Sequence, residues 1–332
     1  MRYFLFLTPI FLLIFSGCSS KQYFEPEKVE GDVRVTGFIQ DHLKSASRDG
    51  AMLENNFFIT EKGVSSFPLE DGYEYLNSSK KYHFATDNCG KLQIYSHDGD
   101  VVDSVEYDRE VLNVAEENEF IATINAGNEI TLYDLKTNQF VFKQTEQEAV
   151  ANDVKIAAPH FLNDIVIFPT LDGKMVIVDI LSGKPVRNIA VSSSKFFNNV
   201  IFLNIVDDRL VAATQTRAVS VSPEFINTIE LTLRDVIFVG DKIYFFTKEG
   251  EIVLTDSDLR EIKRHKFPFA HFDAAIYGEF VYAIESQGYI IAVDKDLLTS
   301  HVYELDTSID GPVFAAEDKV YFRDYYFQLS QE

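Results

Sequence analysis

The chain has no tryptophan, only two cysteines and only three methionines. Without tryptophan, any large aromatic core has to be built from its 29 phenylalanines and 16 tyrosines. If one thiol is consumed by modification, no intramolecular disulfide remains, and stability must come from buried apolar surface. Basic residues are scarce as well. Thirty Lys and Arg stand against 52 Asp and Glu, a formal charge of −22. That balance excludes nucleic acid and anionic lipid headgroups as natural partners, because both are polyanions. Beyond the first residues, no apolar pattern of period 3.6 is long enough to support a helix.

What is present starts at the N-terminus. Arg2 supplies a positive charge, residues 3–15 are apolar apart from Thr8 and Pro9, and Ser16 and Gly17 are small. As a helix this stretch would span about 20 Å at ~1.5 Å per residue, short of a hydrocarbon core of ~30 Å, so it reads as a cleaved signal. Phe15-Ser16-Gly17-Cys18 resembles the bacterial lipobox. That resemblance implies cleavage before Cys18 and acylation of its sulfur and new amino group. Two or more acyl chains anchor stably where one does not. Ser19 follows where an inner-membrane retention signal would place Asp, which implies the outer membrane. An ordinary secretory signal with an incidental cysteine is the alternative.

The remainder repeats one unit. Residues 171–189 read LDGKMVIVDILSGKPVRNI: a glycine turn, an alternating run ending in Asp179, a second turn, and another short run. The same grammar recurs at 90–105, 127–142, 250–265 and 288–303, and most units follow a hydrophobic hairpin such as VIFVGDKIYFFTKEG from Val236. Short runs rich in Val, Ile, Tyr and Phe, broken by Gly, Asp and Asn, are strands. Taking the second strand of each hairpin as a marker, units begin near Phe57, Tyr82, Phe120, Ile165, Arg209, Lys242, Phe280 and Lys319. A period of about 40 residues with four strands is the size of a β-propeller blade. The sequence therefore predicts an all-β propeller of four-stranded blades. Eight markers favour eight blades, while the short first step leaves seven open. The last unit stops before its fourth strand, so an early strand, taken as 33–39, is expected to complete it and close the ring. Residues 1–17 are then the signal peptide, 18–31 a lipidated tether and 32–332 one propeller domain.

Residues 172–186 resemble the repeat of PQQ-type propellers, with Val186 in the place of its tryptophan. Over about residues 50–330 the architecture is similar to the BamB family, propeller lipoproteins of the outer-membrane β-barrel assembly machinery. Leu231-Thr232-Leu233-Arg234 resembles a Leu-x-Leu-Arg segment through which that family contacts the barrel-forming subunit, which implies Leu231, Leu233 and Arg234 as protein-binding residues. An Arg fork can pair with a carboxylate while flanking leucines fill a pocket. An ordinary strand end before Val236 is the alternative.

Enzymatic readings find little. Quinone-dependent dehydrogenases share the fold but stack the cofactor on a tryptophan beside an adjacent cysteine pair, and the chain has neither, so no cofactor is expected. His42, His83, His97, His160, His265, His271 and His301 include no pair at i, i+2 or i, i+4 spacing, so they are expected to be turn and strand-edge residues with no metal site, the alternative being a site assembled at long range. Asp98 with Asp100, and Asp256 with Asp258 and Glu261, are incomplete as calcium loops and are expected to cap turns. Ser192-Ser193-Ser194 lacks nucleophile-elbow glycines, and Cys89 reads as a turn residue. The expectation is a non-enzymatic scaffold, lipid-anchored on the periplasmic face of the outer membrane, which assists β-barrel assembly by binding other subunits or unfolded clients. The alternative is a surface or periplasmic recognition lipoprotein that binds a glycan or a host or envelope protein.

Overall fold

A computed structural model describes residues 22–194, 196 and 198–329; the signal and Cys18 lie outside the described residues. The alternating runs fold as 33 short strands, with no helix among the described residues. Thirty-one of them form eight antiparallel sheets: 43–64, 73–106, 111–145, 160–190, 202–230, 233–266, 272–305 and 313–328, numbered as blades one to eight. First strands of neighbouring blades touch between blades two and three, three and four, six and seven, seven and eight, and eight and one. The fourth strands form the rim, and that of blade four, Lys184–Ala190, is exposed at all but one position. The protein is an eight-bladed β-propeller.

In every blade but the fifth, the turn between the second and third strands holds a left-handed residue whose carbonyl receives the chain leaving the fourth strand. Gly90 (φ 103°) accepts from Tyr107 N–H at 2.9 Å and Gly250 (φ 75°) accepts from Phe267 N–H at 2.8 Å. A Cβ on Gly250 would meet the Phe267 carbonyl oxygen at 2.3 Å. In blade three Asn128 (φ 57°) takes this place, as the side chain most tolerant of that conformation after glycine. This local geometry is the physical content of the repeat.

The core is divided into eight apolar clusters, one at each seam between neighbouring blades. Aromatic side chains fill much of it: Tyr244, Phe246 and Phe272 between blades six and seven, Phe84 between two and three, Phe322 and Phe327 between seven and eight. Phe and Tyr supply here the bulk that tryptophan would otherwise provide.

The expected closure is present. Gly37–Phe38, inside the span 33–39, pairs antiparallel with Tyr325–Gln328 as the fourth strand of blade eight. Two features go beyond the expectation. Gly31–Val33 adds a fifth strand to blade seven, parallel to Ser300–Leu305. Phe24, 5% exposed, lies edge-on to Phe267 and Tyr289 in the seam between blades six and seven. Within the segment expected to act as a tether, therefore, Phe24 and residues 30–31 are docked on the ring. The marker at Phe57 is corrected: the second strand of blade one is Ala51–Leu53, and Phe57 adjoins the third, Phe58–Thr60. A first hairpin too short to show its own strand signal produced the irregular first step.

Candidate functional site on the two faces of the ring

Chain entry into each blade and the turn between its second and third strands share one face, the entry face. The turns between first and second and between third and fourth strands share the opposite face. The channel between them is crossed by protein. Because the first hairpin of blade one, Leu43–Ala46 to Ala51–Leu53, is short, its turn reaches inward. Arg48 donates from Nε to the Ile201 carbonyl of blade five (2.7 Å) and from Nη2 to Asp235 of blade six (3.2 Å). Lys155, on the connection from blade three to four, donates to the other Asp235 oxygen at 3.0 Å. Asp49 accepts from the Asn113 amide of blade three at 2.7 Å, and that amide also donates to the Ile156 carbonyl at 2.8 Å. Side chains from opposite sides of the ring thus meet on the axis.

The two carboxylates are tuned in opposite directions. Burial would raise Asp235, but Lys155 and Arg48 outweigh it and hold the group below the ordinary Asp range. Burial raises Asp49, and its Asn113 hydrogen bond and nearby Arg48 only partly offset that. A lowered folded value means that the Asp235 contribution is present above the unfolded Asp pKa of about 3.9 and is lost as pH falls through the folded value. For Asp49 the sign reverses: its penalty is absent in acid and grows as pH rises from about 3.9 through its raised value. Asp49→Asn should accordingly raise the urea midpoint at pH 7 and leave it unchanged near pH 3.5. A midpoint lowered at pH 7 would contradict this.

On the opposite face, a cleft of about 720 Å³ opens beside blades one to three, lined by Asp49, Lys62, Tyr75, Ser78, His83 and His97 among others. A hydrogen-bond chain runs along its wall. Tyr75 OH meets Ser78 Oγ (2.7 Å), Ser78 Oγ meets His83 Nδ1 (2.6 Å), His83 Nε2 meets His97 Nδ1 (2.9 Å), and His97 Nε2 meets the Lys80 carbonyl (3.1 Å). The carbonyl can only accept, so for neutral rings every proton follows: His97 donates to Lys80, His83 to His97, Ser78 to His83 and Tyr75 to Ser78. Burial, and then the neighbouring His97, push His83 down to about 4.

On the entry face, a second cleft of about 700 Å³ lies between the approaches to blades four and five, lined by Val150, Asp172, Lys174, Ser192, Phe196 and Gln215 among others. Val150 and Val154, on the blade three to four connection, are 78% and 73% exposed, and Phe196 is also exposed. Lys174 bridges Asp172 (2.6 Å) and Glu146 (2.8 Å) at its edge.

The residues singled out in the sequence separate on this frame. Leu233, 1% exposed, is packed in the seam between blades five and six, whereas Leu231 is only half-buried there. Arg234 is half-buried at the entry end of blade six, beside His271, which also meets Ser286 Oγ at 2.7 Å and Asp273 at 3.2 Å. Cys89 is exposed in a turn, and its N–H donates to Asp87. Asp258 pairs with Arg209 (2.9 Å), and Asp256 caps its own turn through Arg260 N–H (2.8 Å). Arg48, Asp49, Lys155 and Asp235 carried no sequence signal, being far apart in the chain. His83 and His97 did carry one: with pairing about the turn at Cys89-Gly90, His83 opposes Tyr95, which makes His97 its diagonal neighbour on the same face.

No family model matches the chain. It is 27% identical to plasminogen-binding protein PgbB of Helicobacter pylori strain J99, over 97% of this chain and 70% of that protein, and 26% identical to its counterpart in strain 26695 over the same shares. Among solved structures it is similar to BamB from Moraxella catarrhalis (TM-score 0.67, 13% identity, 88% of this chain and 98% of that one). It is also similar to the C-terminal WD40 domain of Sif2 (TM-score 0.68, 10% identity, 92% and 100%) and to the computationally designed Ika8 protein (TM-score 0.61, 12% identity, 90% and 100%). The structural likenesses establish the propeller fold, and similarity in sequence extends along nearly the whole chain to the PgbB proteins.

Proposed function

We propose that this chain is a non-enzymatic scaffold, anchored to the outer membrane through lipid on Cys18, that holds protein partners on the entry face of its ring. The observation that carries this reading is the crossed channel. With Arg48, Asp235 and Lys155 meeting on the axis, recognition falls to the faces and rim. The entry face sets exposed Val150, Val154 and Phe196 beside charged groups such as Lys174 and Asp172, the apolar centre and polar edge that protein interfaces use.

For the partner, the BamB-like fold and the half-buried Leu231 and Arg234 of the resembling segment, whose Leu233 is taken up by the seam, support a subunit or client of outer-membrane β-barrel assembly, bound near blade six. Crosslinking in cells should then capture the barrel-forming subunit, and Arg234→Glu should reduce that capture at least tenfold, the scale of an interfacial arginine. Undiminished capture would remove Arg234 from the interface. The PgbB relatives, named for binding plasminogen, favour a second reading: a surface-displayed lipoprotein that recognises a host protein. Protease treatment of intact cells separates the two, since only a surface-displayed ring is cut. Capture of plasminogen by the purified protein, with no barrel subunit crosslinked, would decide for the second.

A further inference from the structure

The histidine pair at the cleft of the opposite face is absorbed by neither reading. His83 stands on the second strand of blade two and His97 just past its third. Their rings are nearly perpendicular, with interplanar angle 86° and centroids 4.4 Å apart, and Nε2 of the first faces Nδ1 of the second at 2.9 Å. Both ends away from this contact are held. His97 Nε2–H donates to the Lys80 carbonyl, and His83 Nδ1 rests on Ser78 Oγ, which is itself fixed by Tyr75. An imidazole whose outer nitrogen is hydrogen-bonded to a carbonyl or hydroxyl is oriented as metal-binding histidines are.

We propose that His83 Nε2 and His97 Nδ1 together bind one divalent late-transition-metal ion, copper(II) or nickel(II) ahead of zinc, at this cleft. The separation of the two nitrogens supplies the preference. With metal–nitrogen bonds of about 2.0–2.1 Å, ligands at a right angle lie about 2.9 Å apart, whereas a tetrahedral angle needs about 3.3–3.4 Å. Copper(II) and nickel(II) favour right angles between neighbouring ligands, and copper heads the affinity order for nitrogen donors. Zinc would force the rings apart against the Ser78 and Lys80 contacts.

The proton balance closes. His83 must free Nε2, and its proton reappears on Nδ1, where the Ser78 hydroxyl turns from donor to acceptor. No proton is released. No group of three or more His, Cys, Asp or Glu side chains is placed to hold a metal among the described residues, so water fills the remaining positions, and the cleft of about 720 Å³ has room for it.

The test is calorimetric titration of the untagged, folded protein with copper(II), nickel(II) and zinc(II) salts in a weakly coordinating buffer, paired with electron paramagnetic resonance of the copper form. One equivalent should bind, in the order copper, nickel, zinc, with nitrogen hyperfine structure from two imidazoles. His97 is exposed, so His97→Ala should fold normally and bind nickel at least tenfold more weakly. His42→Ala, remote from the cleft, should leave binding unchanged. Nickel affinity unaffected by His97→Ala would overturn the site, and zinc bound more tightly than nickel would overturn the right-angle geometry.

Discussion

Asp235→Ala is expected to lower the free energy of unfolding by about 3–5 kcal/mol, the cost of removing one partner from a buried ionic group. Arg48 and Lys155 both direct their charge at this carboxylate, whose side chain is 11% exposed. Without it, two cations from different parts of the ring are left near each other on the axis with no shared carboxylate. Urea unfolding followed by circular dichroism and tyrosine fluorescence reads the loss, tyrosine being the reporter in a chain without tryptophan. Replacing all three groups together, as Arg48→Met, Lys155→Met and Asp235→Leu, should recover most of the stability, because it removes the charges as well as their pairing. If the single variant unfolds at the wild-type midpoint, the network is not a tie across the channel.

A chain starting at Gln40 should lose even more. It lacks the fourth strand of blade eight, the fifth strand of blade seven and the Phe24 anchor at once. Phe24→Ala alone is expected to cost about 3–5 kcal/mol, as for other buried aromatic truncations. In the truncated chain the backbone bonds from Thr36 and Ile39 to Tyr326 and Asp324 are gone, which leaves the Leu43 N–H to Arg323 carbonyl bond (2.6 Å) and side-chain packing to join the first and last blades. Hydrogen exchange should show residues 313–328 opening first, and limited proteolysis should cut there. Wild-type protection of blade eight in the truncated chain would show that Gly37–Phe38 does not close the ring.

The repeat was legible because it is local. Gly90, Gly173 and Gly250 mark turns whose backbone requirement can be read residue by residue, and the Val, Ile, Phe and Tyr runs carry the period of two. Seven of the eight unit markers therefore fell at or next to second strands. The closing strand followed from an incomplete last unit. Blade one was misread in detail because Ala51–Leu53 has too few residues to show alternation, while Phe57 and Phe58 do.

The candidate sites were harder to read for a different reason. Leu231-Thr232-Leu233-Arg234 looks alike whether its leucines face a partner or a seam, and only packing against blade five shows that Leu233 faces inward. His83 and His97 are 14 positions apart and become neighbours only when the hairpin register is set.

By itself, the sequence determined the all-β class, the blade size, the aromatic composition of the core and the need for ring closure, since each rests on interactions within a few residues or on a count. The tertiary structure decided which side chains meet on the axis, which faces carry clefts, and how the segment before the ring is used. Arg48 and Asp235 are 187 positions apart and adjacent in space. Contacts between opposite blades depend on closing the ring, and no spacing along one strand can encode them.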